Sequence, residues 1–148
     1  MNIELEEIIY KGENHKEFVR SCLGKVELRC PTLFEEKKRF MLFYVLGIDH
    51  SCRSRVDYLY DWERGALKIK SNANDQWPDG DISMKILRLA FHFFSLRTPT
   101  EEADFIQSNE DRLIEIRRYS PLELILSLDD ISYRWVMYSL ELRKRLYG

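Results

Sequence analysis

The stretch Ile82-Ser83-Met84-Lys85-Ile86-Leu87-Arg88-Leu89-Ala90-Phe91-His92-Phe93-Phe94-Ser95 decides the fold. Its polar residues Lys85, Arg88, His92 and Ser95 recur at intervals of 3, 4 and 3, a helical period that gathers them into one narrow stripe. The rest of the helix is apolar almost all round, so neighbours must pack against most of its circumference. The spacing predicts a buried central helix over 82–95 with the other elements arranged about it. The expected fold class is all-α, a compact single-domain bundle of about six to seven helices around that helix.

Working outward, Phe40-Met41-Leu42-Phe43-Tyr44-Val45-Leu46 is the longest apolar run. It closes a helix that Thr32 caps and Gly47 stops, with Glu35 and Glu36 in a first turn that favours negative charge. Asn14-His15-Lys16-Glu17 reads as a capping box, followed by Phe18, Val19, Cys22 and Leu23 at helical spacing and Gly24 as the stop. Asp49 or Ser51 caps a short helix to about Tyr60. A short strand or hairpin is expected near 63–70. Residues 71–80, around Trp77, form the clearest loop, and Asp81 caps the central helix. Residues 1–13 read as an N-terminal arm of the single domain 1–148, and 96–109 as a polar linker or excursion within it. A short helix is expected from about Asn109 to Arg117. Ser120-Pro121-Leu122-Glu123 is a strong helix start. Asp129 or Asp130 caps the last helix, whose Ile131, Trp135, Tyr138, Leu142 and Leu146 share one face.

Composition bounds the function. Over 148 residues, 45% hydrophobic and 32% charged content is that of an ordinary globular chain, which argues against disorder. Eight Phe, eight Tyr and three Trp supply large buried area per residue, enough for a core without staples. A net charge of −2 offers no basic excess to hold nucleic acid. The charge is nonetheless polarised: residues 98–130 carry nine acids against three arginines, −6, while 25–70 and 131–148 are each +3. A solvated acidic face is the preferred reading, a face for a basic partner the sharper one. The start of the chain is acidic and unlike a secretory leader, and the run 40–46 is too short to span a bilayer. Cys22, Cys30 and Cys52 form no CxxC and read as reduced, buried thiols. The expected setting is cytoplasmic, with no membrane partner.

Chemical motifs are sparse. His50-x-Cys52 is the one tight pair of soft metal ligands, and no second pair stands at zinc-site spacing. There is no GxSxG, no GxxxxGK[ST] and no GxGxxG. The chain is therefore read as no enzyme, with no cofactor and no metal. Asp57 and Asp61, one helical turn apart, could hold a divalent cation or do acid–base work, but a solvated helix surface is the preferred reading. His92 is read as a hydrogen-bonded structural histidine. Tyr58, Tyr60 and Trp62, beside Arg64 and Lys68, could stack nucleobases; closure of the core between a helix and a small strand is preferred. Trp77 is either a lid pinned to the core or an interface anchor. Arg117, Arg118 and Tyr119, at a helix entry, could hold a partner's carboxylate or phosphate, or tie down the acidic segment before them.

Several segments in order carry a resemblance: Asn14-His15-x-x-Phe18, Leu42-Phe43-Tyr44-Val45-Leu46-Gly47, Tyr58-Leu59-Tyr60-Asp61-Trp62, Trp77, Leu87-Arg88-Leu89-Ala90-Phe91 and Arg118-Tyr119-Ser120-Pro121-Leu122-Glu123-Leu124. Together, from about Tyr10 to the last helix, they resemble a family of small helical proteins carrying a domain of unknown function, from Gram-positive bacteria, their phages and mobile elements. The stretch 96–116 is longer than that pattern implies, and Trp62 and Phe94 stand where other residues would serve. The resemblance implies no activity and no site residues. It implies a bacterial or phage setting, in which small helical proteins act by binding and blocking. The expected function is a non-enzymatic protein-binding module, a phage or mobile-element factor that inhibits or modulates a host protein. The alternatives are a nucleic-acid-associated protein using the 25–70 region, and an unrecognised metal-dependent enzyme using Asp57, Asp61 or His92. Oligomeric state is left open.

Overall fold

A computed structural model describes residues 8–26, 33–67, 78, 80–95 and 120–147, with the side chains of 33–36, 66–67 and 94–95 left aside. In chain order the elements are α1 (Glu13–Val26), α2 (Leu33–Gly47), α3 (His50–Ser54), α4 (Val56–Leu59), β1 (Tyr60–Asp61), β2 (Ala66–Leu67), α5 (Asp81–Ser95), α6 (Pro121–Leu126) and α7 (Asp130–Tyr147). The fold is mainly α and forms a single domain, as the sequence predicts.

Two apolar helices share its centre. On α5, Ser83, Ile86, Leu87, Leu89, Ala90, Phe91 and Phe93 are buried, while Lys85, Arg88 and His92 form a half-buried stripe. Its main partner is α2, which also packs against α1, α3 and α7 and so is walled in on more sides than α5. Every residue from Met41 to Leu46 is fully buried. Each large side chain so enclosed stabilises the fold by roughly 1.5–3 kcal/mol of transfer free energy. Phe43 meets Tyr60 edge-on at 5.2 Å and stacks with Trp62 at 5.7 Å.

Local chemistry sets the helix ends. Asp49, rather than Ser51, caps α3, its Oδ2 accepting from the Cys52 amide at 3.0 Å. Ser120 caps α6 with Pro121 at its first position, and Asp129 caps α7 by accepting from the Ser132 amide. Helix α1 departs from expectation. It begins at Glu13, so Asn14 lies inside the first turn, and it runs through exposed Gly24 to Val26. Burial of Val26 against the core carries the helix past the glycine. The proposed Thr32 cap, the loop 71–77, the excursion 96–109, the helix from about Asn109 and the segment 1–7 lie outside the described residues.

The expected strand near 63–70 is the second half of a hairpin that starts earlier. β1 pairs antiparallel with β2, Tyr60 opposite Leu67 and Asp61 opposite Ala66. Asp61 builds the turn: its Oδ1 accepts from the amides of Glu63 and Arg64, each at 3.0 Å, and its carbonyl accepts from Gly65 at 2.8 Å. Gly65 sits at φ +66°, a left-handed conformation that favours glycine. Asp61→Ala should cost about 1 kcal/mol by releasing both amides. Urea denaturation reads it, and an unchanged midpoint would mean that water replaces the carboxylate fully.

Helix α7 is rotated from its expected seat. Trp135, Tyr138, Leu142 and Leu146 do turn inward, but Ile131 is exposed, and the buried face includes Ser132, Val136 and Ser139. The serines allow a close approach because their polarity is satisfied locally; Ser139 Oγ donates to the Trp135 carbonyl at 2.7 Å. The rotation leaves Tyr133, Met137 and Leu140 on the outside. Among the described residues, no helix is long and apolar enough to cross a membrane.

Candidate functional site

The aromatic cluster near the hairpin is internal rather than a platform. Tyr60 is 0% exposed, and its hydroxyl accepts from buried Arg39 at 3.1 Å. Trp62 is half-buried between Phe43 and Tyr60, donates its Nε1–H to Asp57 at 2.9 Å, and carries the Lys25 ammonium over its ring at 4.6 Å. Of the three, only Tyr58 stands clear, 50% exposed. Asp57 and Asp61 therefore do separate tasks: the first accepts from Trp62 and pairs with Lys25 at 3.9 Å, the second folds the turn. Among the described residues, no three His, Cys, Asp or Glu side chains stand together as a metal-holding group.

The His50-x-Cys52 pair diverges. His50 is exposed, while Cys52 is fully buried, with its thiol donating to the Ser83 carbonyl at 3.4 Å. Burial pushes the Cys52 thiol well up, and that of Cys22 up to about 12, so both remain protonated and inert as nucleophiles. His92 is half-buried on α5. Trp77, Arg117, Arg118, Tyr119 and Cys30 lie outside the described residues.

A polar knot not visible in the sequence closes the N-terminal end. The Tyr44 hydroxyl donates to the Ile9 carbonyl at 2.5 Å, and the Ile9 amide donates to the Tyr138 hydroxyl at 3.0 Å. Beneath them, His15 is only 1% exposed. Its Nδ1 accepts from the Lys11 amide at 2.9 Å, which places the proton on Nε2, where it is donated to the Tyr44 carbonyl at 2.8 Å. Burial among Tyr10, Tyr44 and Trp135 lowers its pKa to about 4; the Tyr44 bond opposes the shift, and the charges of Arg53 and Lys11 add to it. Tyr10 and Tyr44 are raised by the same burial.

Two surface features remain. A cleft of about 300 Å³ opens beside this knot, lined by Lys11, Glu13, Asn14, His15, His50 and Arg53 together with Gly12 and Ile48. On the opposite side of α7 from its core seat, Tyr133, Met137 and Leu140 recur at intervals of 4 and 3 and are 38–41% exposed. A shallow groove of about 530 Å³ runs alongside, lined by Arg134, Met137, Leu140, Glu141 and Lys144 and, at the edge of the core seat, Tyr138. Leu122, Leu126 and Ile131, at α6 and the start of α7, are more exposed still, 61–67%. The 4–3 spacing on α7 was present in the sequence, but beside the more regular face of Trp135, Tyr138, Leu142 and Leu146 it carried no signal of its own.

The chain belongs to a family described as a Family of unknown function (DUF6075), whose pattern matches residues 5–145. No curated protein and no solved structure matches it.

Proposed function

We propose that the protein is a non-enzymatic binding module that docks a protein partner on the outer face of α7. The observation that carries this reading is the stripe Tyr133, Met137 and Leu140, apolar and exposed on a helix whose other side already completes the core. A run of large apolar side chains left to water is costly, and such patches mark interfaces. Arg134 and Lys144 flank the stripe along the groove, with Glu141 the one acid among its lining residues. The complementary partner presents an apolar ridge with an acidic rim. The same proposal extends to a phage or mobile-element setting, in which docking on this face would inhibit or modulate a host protein. Engagement of Tyr60 and Trp62 in packing, and of Asp57 and Asp61 with separate partners, favours this reading over the nucleic-acid and metal-dependent alternatives.

The test compares wild type with the double variant Met137→Asp, Leu140→Asp in affinity capture from the host lysate. These positions are exposed, so the fold should be nearly unaffected. A stoichiometric protein retained by wild type and lost from the variant, at unchanged melting temperature, is the expected result. Equal capture by both would move the interface off α7. Sedimentation of the isolated protein distinguishes a second copy as the occupant: a concentration-dependent dimer abolished by the same variant would make the stripe a self-association face.

A further inference from the structure

We infer that the cavity between Lys11, His50 and Arg53 is a binding site for a small phosphoryl-bearing anion. The side chains come from two places in the chain: Lys11 precedes α1, and His50 and Arg53 stand on α3. They converge because both cations are moored to the end of α2. Lys11 Nζ donates to the Ile48 carbonyl at 3.0 Å, and Arg53 donates to the Gly47 carbonyl at 2.7 Å.

Those moorings hold the two cationic side chains at the cavity wall, where the carbonyl end of α2 offsets part of their charge but leaves most of their donors uncommitted. A carbonyl takes one of the three donors on the ammonium and one of the five on the guanidinium. The rest are free to turn to a ligand. Both charges are also felt by the His15 ring beneath, whose basicity they lower. The positive end of the α1 dipole faces the same corner and offsets the carbonyl end of α2.

One acid opposes it. Glu13, the first residue of α1, lines the same cavity and is exposed. Two fixed cations against one carboxylate leave the lining with an excess of one positive charge, and the His50 imidazole adds a further polar partner.

The shape of the donor set selects the ligand. The donors come from two separate segments, the arm before α1 and helix α3, which suits a tetrahedral group offering several acceptor oxygens. A planar carboxylate presents only two oxygens, in one plane. Arginine in particular matches phosphoryl oxygens in pairs. A volume of about 300 Å³ exceeds what the phosphoryl group fills and reaches the lower end of small-molecule pockets. The ligand class is a small phosphomonoester, with free phosphate as its minimal form. This site is on another part of the chain from the α7 stripe and does not depend on the binding-module reading.

The experiment follows amide and imidazole NMR signals of the full chain through titrations with inorganic phosphate, glucose 6-phosphate and acetate, against sodium chloride at matched ionic strength. Saturable shifts centred on residues 11–15 and 50–53 with phosphate, and none with acetate, are expected. Tighter binding of the ester than of phosphate would assign the extra volume to the organic group, and equal binding would assign the site to free phosphate. Lys11→Met and Arg53→Met should each weaken phosphate about tenfold, the size of one charge-assisted hydrogen bond. Glu13→Gln should act in the opposite sense and tighten it. Removal of a merely structural contact would not produce that reversal of sign. Shifts that grow linearly without saturation, or that chloride reproduces, would overturn the site. So would a Glu13→Gln variant that binds no better than wild type.

Discussion

Acidifying the protein from pH 7 to pH 4.5 should remove roughly 2.5 kcal/mol of stability through one imidazole, that of His15, and about 3 kcal/mol once titration is complete. The sign follows from the direction of the shift. In the unfolded chain the group titrates near its ordinary 6.5, and in the fold at about 4. Between those values the unfolded state binds the extra proton, so stability falls as pH falls. The contribution is whole above pH 6.5 and lost by about pH 4. The structural cause is specific: a proton on Nδ1 would confront the Lys11 amide, itself a donor, inside a pocket only 1% exposed. Carboxylates contribute in a lower window. Asp129, held below its usual range by its hydrogen bonds to Ser132, loses its share only as pH falls through the carboxylate range and beyond.

Urea denaturation at pH 7 and 4.5 checks the size of the loss. His15→Gln supplies the control, because a side-chain amide can accept from Lys11 and donate to Tyr44 without titrating. That variant should lose under about 1 kcal/mol over the same window. If wild type and His15→Gln fell in parallel, the acid sensitivity would lie elsewhere. Direct NMR titration of the ring above pH 6 would also contradict the assignment.

What could be read in the chain was what depends on neighbours in sequence. The apolar runs of α2 and α5 announced two core helices because burial on all faces needs no knowledge of the partner. Ser120-Pro121-Leu122-Glu123 and the Asp129–Asp130 start were legible because a cap is a local hydrogen bond. The stop at Gly24 misled for the complementary reason: a distant core claims Val26 and carries α1 past it, while at the other end the Lys16 amide bonds to the Gly12 carbonyl and starts the helix ahead of Asn14. Tyr58, Tyr60 and Trp62 looked alike as letters. They part company in space, since alternation across the hairpin sends Tyr60 inward while Tyr58, on the preceding turn of helix, faces water. The corner formed by Lys11, His15, His50 and Arg53 had no local signal at all. It exists because α1 and the arm before it cross the end of α2, through contacts between residues 29 and 37 positions apart.

Gly47 is what permits that crossing, and Gly47→Ala should destabilise the fold by about 2 kcal/mol. Read as sequence, Gly47 is a helix stop of the kind that adopts a left-handed conformation. The structure assigns it a different reason. It is the last helical residue of α2, its φ is not positive, and a methyl group there would stand 2.6 Å from His15 Cδ2 and 2.9 Å from Phe18 Cδ1. Contacts that short force a shift, and neither neighbour is free to give way. His15 is fixed by hydrogen bonds at both nitrogens, and Phe18 is packed against the core. Overpacking of this kind costs about 1–3 kcal/mol, and displacing the imidazole also strains its bond to Tyr44. Alanine's better helix propensity returns at most about 1 kcal/mol. Gly24→Ala calibrates that return: it lies within α1, and a Cβ there meets nothing within 4 Å. That variant should be stabilised by roughly 0.5–1 kcal/mol. Thermal melts of the two side by side should move in opposite directions, Gly47→Ala downward by about 4–8 °C. If Gly47→Ala melted as high as Gly24→Ala, α1 would have room to slide over the end of α2, and the His15 corner would be looser than its hydrogen bonds imply.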